Sequence, residues 1–179
     1  MSINDLIIKL APDAELGAEE RLILLELLER AYEEPLAALM DTFTDPVHLL
    51  GSLGGRLVSH LMWVTRWLQP EGLPMLRTAY IEMVTTEPAY QQRGLATRLL
   101  QRLPGELLTY DLAALSPATY SLYTRQGWEL WRGPLFIRME HGWQATPDEE
   151  VMILRLPRTP ANLDLDAPLT AEWRPGEAW

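Results

Sequence analysis

The chain reads as a mixed α/β domain of the α+β type, a twisted and mostly antiparallel sheet with helices on both faces. Three observations carry that reading. Four strand-like runs precede a strongly amphipathic helix, and one tight turn between Tyr80 and Leu103 joins the last of those strands to it. The 179 residues, 47% apolar and 22% charged, suit a single ordinary globular domain over 1–179. A chain of this length buries roughly 70% of its unfolded surface in one core.

The elements follow in order. Leu6-Ile7-Ile8-Lys9-Leu10 is a short apolar run, predicted as the first strand and ended by Pro12-Asp13. Residues 14–32 are predicted helical: Leu24, Leu27, Leu28 and Ala31 share one stripe, with Glu19 and Glu20 early and Arg30 late, as the helix dipole favours. Glu33-Glu34-Pro35 closes that helix, and 36–41 is a further helical turn. From Pro46 the pattern becomes a hairpin, 47–50 and 56–68 flanking the glycine-rich Gly51-Ser52-Leu53-Gly54-Gly55. Residues 69–74 are a turn-rich connection.

The next strand, with Tyr80, Ile81, Val84, Thr85 and Thr86, stops at Pro88 because proline cannot donate to a sheet ladder. Leu95, Leu99 and Leu103 then recur every four residues until Pro104-Gly105 ends the helix. Ser116-Pro117 reads as an N-cap with proline at the first helical position, and Gly127 as the stop of that helix. Residues 128–139 and 151–156 are predicted strands, and 140–179 form a C-terminal strand and tail.

Composition narrows the function classes. A net charge of −10 and a pI near 4.7 argue against nucleic acid, whose phosphates reward basic surfaces, and would suit a cationic small molecule; acidity of this size also serves solubility alone. The absence of cysteine removes disulfides, thiolate catalysis and zinc–cysteine sites, and fits a reducing cytoplasm. No run reaches eighteen apolar residues and the start MSINDLIIKL lacks signal-peptide features, so a cytoplasmic protein without a membrane partner is expected. His48, His60 and His141 have no partner at metal-ligand spacing, so no metal is expected.

The hinge Gln91-Gln92-Arg93-Gly94-Leu95-Ala96-Thr97 carries the chemistry. Gly94 lets the backbone approach a ligand, Ala96 keeps the helix start free of bulk, and the first helical amides have no intrahelical acceptor. A pyrophosphate fits such a place. Glu82, an acid within an apolar strand, is a candidate for proton transfer; the alternative is an edge-strand glutamate in a salt bridge.

Gln-x-x-Gly-x-Ala after a strand, followed by Leu122-Tyr123-Thr124-Arg125-Gln126-Gly127-Trp128, resembles the two hallmarks of the GNAT (GCN5-related) N-acetyltransferases. The resemblance implies a GNAT fold of about six or seven strands and about four helices, the sheet split where acetyl-CoA enters. It implies that residues 91–97 hold the pyrophosphate, and that the backbone of Met83, Val84, Thr85 and Thr86 pairs with the pantetheine arm and polarises the thioester. Glu82 would then take the ammonium proton, directly or through water, and Tyr123 would protonate the departing sulfur; otherwise Tyr123 is a core residue. Ser116 would touch substrate secondarily, and Glu33, Glu34, Asp41 and Asp45 would lie beside the cleft, Asp41 as a substrate contact unless simply solvated.

The tail Leu169-Thr-Ala-Glu-Trp-Arg-Pro-Gly-Glu-Ala-Trp179 is similar to that of the aminoglycoside 2'-N-acetyltransferases. That likeness implies an aminoglycoside-like polycation as acceptor and a link to antibiotic resistance, with Glu177, the terminal carboxylate of Trp179 and Asp148 receiving ammonium groups. Trp173 and Trp179 are expected to anchor the tail, and are equally suited to a homodimer interface. Two rivals stand beside this reading: a GNAT acting on a polyamine, metabolite or protein amine, and a non-catalytic acetyl-CoA-binding module.

Overall fold

The computed structural model describes residues 3–176 and 178–179, so the expectation for Glu177 lies outside the described residues. The described residues form four α-helices, α1 (Ala18–Tyr32), α2 (Ala37–Met40), α3 (Leu95–Glu106) and α4 (Tyr120–Thr124). They also form ten strands: β1 (Ile7–Pro12), β2 (Val47–Leu53), β3 (Arg56–Pro70), β4 (Leu76–Thr86), β5 (Leu112–Leu115), β6 (Glu129–Leu130), β7 (Leu135–Met139), β8 (Gly142–Ala145), β9 (Met152–Arg155) and β10 (Leu169–Glu172). No described helix is long and apolar enough to cross a membrane. The chain divides into two compact units, one built from Ile81–Leu103 and the chain up to Val64, the other from Thr65–Tyr80 and the chain from Pro104 onward.

In the first unit β1, β2 and the leading part of β3 form an antiparallel meander, Ile7 opposite Ser52 and Val47 opposite Trp63. The β2–β3 turn is two glycines with positive φ, Gly54 at 57° and Gly55 at 80°, the mirror-image turn whose twist matches paired strands. The first helix begins later than 14. Asp13–Glu15 make a 3-10 turn, closed by Leu16 N–H on the Asp13 carbonyl, and Gly17 is extended, so α1 starts at Ala18 with Glu20 bonded back to the Gly17 amide at 3.2 Å. Leu24, Leu27 and Leu28 are buried on the expected stripe.

The third helix buries Leu95, Leu99, Leu100 and Leu103, each at most 2% exposed, a face worth about 1.5–3 kcal/mol per side chain. It runs on past Pro104 to Glu106 rather than stopping at 103. Proline there lacks a single amide close to the helix end, where the ladder is finishing anyway.

The second unit has the strand order β6-β9-β5-β4-β3-β10-β7-β8. Two of its neighbours are parallel, β4 with β5 and β7 with β10. The number of strands exceeds expectation because 128–139 is broken: Arg132 and Gly133 both donate to the Leu165 carbonyl, and Pro134 has no amide for a ladder. The tail also contributes β10, set antiparallel to β3 and parallel to β7.

Gly133 is where the 131–134 break meets the segment before β10. A Cβ on it would sit 2.0 Å from the Ala167 carbonyl oxygen, a backbone atom with no rotamer to escape into. Gly133→Ala is expected to lose at least about 3 kcal/mol of stability, read as a lower urea midpoint with unchanged slope.

Candidate active site

The exit of β4 is fixed by charge. Glu87 is 6% exposed and accepts from Arg30 of α1 at 2.9 Å, with Arg56 of β3 at 3.4 Å, while its amide donates to the Val58 carbonyl at 2.9 Å. A 3-10 turn at Pro88–Tyr90 follows, and the Gln91 side chain donates back to the Thr86 carbonyl at 3.3 Å. Gln92 at φ 59° and Gly94 at φ 79° then place two left-handed residues in one turn, the geometry that rotates successive amides toward a common point.

The first bond of α3 is Arg98 N–H to the Gly94 carbonyl at 3.1 Å, so by helix geometry the amides of 95–97 have no intrahelical acceptor. Gln91, Gln92, Arg93 and Gly94 are exposed, and Ala96 and Thr97 half-buried. Leu95 is core, packed with Leu53 and Val58, and offers a ligand only its backbone. Arg93 lies over the Tyr90 ring, 5.0 Å from its centroid.

Upstream, β4 carries an irregularity. Met83 is left-handed at φ 52°, and its carbonyl accepts from His60 Nδ1 and from Thr85 Oγ1, both at 3.0 Å. The Thr85 carbonyl accepts from Ser59 Oγ at 2.9 Å. Side chains of β3 thus take the place that amides hold in a regular ladder. Met83 and Thr85 are buried, whereas Glu82, Val84 and Thr86 are half-buried. On the side away from β3, pairing of β4 with β5 covers Thr78 to Tyr80, and among the described residues no strand pairs with Ile81–Thr86 there.

His60 belongs to a feature the sequence reading missed. His48 and His60 are both fully buried, with His48 Nδ1 2.9 Å from His60 Nε2. The hairpin register puts His48 opposite Met62 and His60 opposite Leu50, so the histidines are diagonal neighbours on one face. Counting back from Gly54-Gly55 with the shift at Gly51/Ser52 was the signal that could have found them. Burial pulls His60 down to about 3, with His48 acting in the same direction and the Met83 carbonyl against it. His48 is also lowered by burial, which Asp13 opposes. No metal-holding cluster exists among the described residues.

Asp41 lines a cavity of about 320 Å³ with Asp13, Arg21, Met40 and Phe43 in the first unit. Glu33, Glu34 and Asp45 are exposed.

In the second unit Tyr123 is 6% exposed and meets Trp128 edge to face, centroids 6.0 Å apart. Gly127, at φ 84°, ends the helix as expected, its amide reaching the Thr124 carbonyl and that of Trp128 the Tyr123 carbonyl. The capping role expected of Ser116 is corrected: the helix begins three residues later than Pro117, at Tyr120, with Thr119 as its extended N-cap at φ −156° and ψ 136°. Ser116 is exposed.

The tail is pinned from within. Trp179 is 2% exposed, donates Nε1–H to Thr146 Oγ1 at 2.9 Å, and its main-chain oxygen accepts from Arg174 at 3.2 Å. Exposed Asp148 therefore sits two residues from that tether. Arg66, 1% exposed, donates to the Ala178 and Glu172 carbonyls at 2.8 and 2.7 Å and lies over the Tyr80 ring. Trp173, expected as a second anchor, is instead 55% exposed.

A family profile described as an acetyltransferase (GNAT) domain matches residues 16–131. An aminoglycoside 2'-N-acetyltransferase from Mycolicibacterium fortuitum is 30% identical over 168 residues, covering 86% of this chain and 86% of that protein. Among solved structures, a GNAT-family N-acetyltransferase from Escherichia coli in complex with CoA has a TM-score of 0.65 at 17% identity, over 93% of this chain and 89% of that one. An acyl-CoA N-acyltransferase from Pseudomonas aeruginosa has a TM-score of 0.57 at 21% identity, over 83% and 98%.

The buried histidine pair makes stability pH-dependent. An unfolded histidine binds its proton near 6.5 and folded His60 only near 3, so between those values the unfolded chain holds more protons. Stability is therefore expected to fall as the pH drops through that window, by at most about 1.4 kcal/mol per unit from His60. Urea denaturation at a series of pH values checks this, and a flat profile refutes it.

Proposed function

The chain belongs to the GNAT acetyltransferases and is an N-acetyltransferase, and from that premise we propose that it transfers the acetyl group of acetyl-CoA to a primary amine of a cationic, aminoglycoside-like small molecule, directly within a ternary complex. The observation that supports the reading is the continuity of the edge of Ile81–Thr86, on which no described strand pairs on the side away from β3, with the two-fold left-handed turn at Gln92 and Gly94. An extended amide-bearing arm can add to such an edge as a strand would, and a pyrophosphate can accept from the amides that follow. The acceptor class is supported by the name of the 30% identical relative and by the charge of −10.

Bound acetyl-CoA supplies the activated acyl carbon. This chain's residues then do the rest. Val84 N–H stabilises the carbonyl oxygen as negative charge gathers on it. Glu82 removes the ammonium proton, freeing the nitrogen lone pair that forms the C–N bond. As the C–S bond breaks, Tyr123 returns a proton to sulfur. Asp41, Asp148 and the tail around Trp179 are the proposed contacts for the remaining ammonium groups, with Ser116 a further contact at the end of β5. Val84 and Thr86 flank the arm, and Gln91, Gln92, Arg93 and the amides of 94–97 hold the phosphates.

A thiol-release assay with a panel of aminoglycosides and polyamines tests this. Turnover with the aminoglycosides is expected, with kcat lowered about 10²–10⁴-fold in Glu82→Gln and about tenfold or more in Tyr123→Phe. Unchanged rates in both variants refute these roles, and turnover with polyamines alone refutes the acceptor class.

A further inference from the structure

The left-handed kink at Met83 is held by polar contacts whose direction can be worked out atom by atom. The Met83 carbonyl can only accept, so His60 Nδ1 carries the hydrogen. A neutral His60 then has a bare Nε2, which accepts from His48 Nδ1–H. The hydrogen-bond chain stops there: His48 Nε2 is bare in this tautomer and has no hydrogen-bond partner, and the Asp13 carboxylate 3.4 Å away is itself only an acceptor, neutralised by Arg21 Nη1 at 2.6 and 2.5 Å. The chain ends on a carbonyl, which has no proton to pass on, so it orients a group and conducts nothing.

What it orients follows from peptide geometry. A trans peptide points its C=O and N–H in opposite directions, so drawing the Met83 carbonyl onto β3 aims Val84 N–H away from β3, at the edge of β4 where no described strand pairs. A left-handed methionine persists only where its surroundings over-determine it, and here the two side-chain donors of His60 and Thr85 do so.

We propose that His60, locked in one tautomer by His48, is a positioning residue for acetyl transfer: by holding the Met83 carbonyl against β3 it fixes the Val84 amide where the thioester oxygen gathers charge. This rests on the acetyl-transfer reading above. His60 touches no reacting atom, and its effect appears in kcat rather than in the binding of either substrate.

Three variants test it, each checked for folding by circular dichroism. His60→Asn places an amide nitrogen where Nδ1 stood and is expected to keep kcat within about threefold. His60→Leu removes the donor and is expected to lower kcat about ten- to a hundredfold, with KM for acetyl-CoA within about twofold. Should the leucine variant not fold, Thr85→Val, which removes the second donor at nearly constant volume, is expected to lower kcat several-fold with KM unchanged. Equal losses in the asparagine and leucine variants, or a folded leucine or valine variant with wild-type kcat, overturn the proposal. Nitrogen NMR of the histidine rings in the wild type is expected to show both as the Nδ1–H tautomer at neutral pH, and the opposite tautomer at His60 overturns the clamp whatever the turnover. A wild type showing those tautomers but no turnover with any amine overturns the transfer reading instead, and the catalytic role of His60 with it.

Discussion

The turned-out carbonyl of Met83 is the constraint on which the rest of the first unit depends. A regular strand would spend that oxygen on a neighbouring amide. Here Met83 is left-handed, and His60 and Thr85 side chains take the oxygen up. The requirement propagates outward: His60 must be neutral, and His48 must supply the hydrogen to its Nε2. Each is met by a residue on a different strand, so β2 and β3 are tied to a single peptide of β4.

Backbone and side chain divide the labour along 81–97. Ile81, Met83, Thr85 and Leu95 are buried, and their side chains hold the strand and helix in place. Their main chain is what a ligand would meet. Glu87 secures the junction, because a carboxylate this buried needs both Arg30 and Arg56 to offset its lost hydration. The side chains of Gln91, Gln92 and Arg93 are exposed, so they can move without disturbing the core.

The parts legible in the sequence were those with a period or a punctuating residue. Leu95, Leu99 and Leu103 announced α3, Gly54-Gly55 the hairpin, and Gly127 the end of α4. Ser116 misled because Ser-Pro is the local pattern of a cap, whereas Thr119 three residues on takes the extended conformation from which α4 starts. The place of β10 was illegible, since Leu169–Glu172 has only four residues and its position between β3 and β7 depends on pairings distant in sequence. Composition could not tell Trp173 from Trp179, because both are tryptophans near the tail, and only the partner at Thr146 distinguishes the buried one. The histidine pair was hidden by a twelve-residue separation that becomes contact once the hairpin closes.

The edge of β4 beyond Tyr80, with no described strand paired on it away from β3, has a cost in a crowded solution. A strand edge without a neighbouring strand is a template on which another molecule's extended chain can grow, the first step toward sheet-like aggregates. A left-handed residue in the middle of it spoils the straight register such growth requires, and Glu82 adds a charge that a neighbouring strand would have to accommodate. The same kink that turns the Met83 carbonyl onto the His60 side chain thus makes the edge a poor seed for intermolecular assembly.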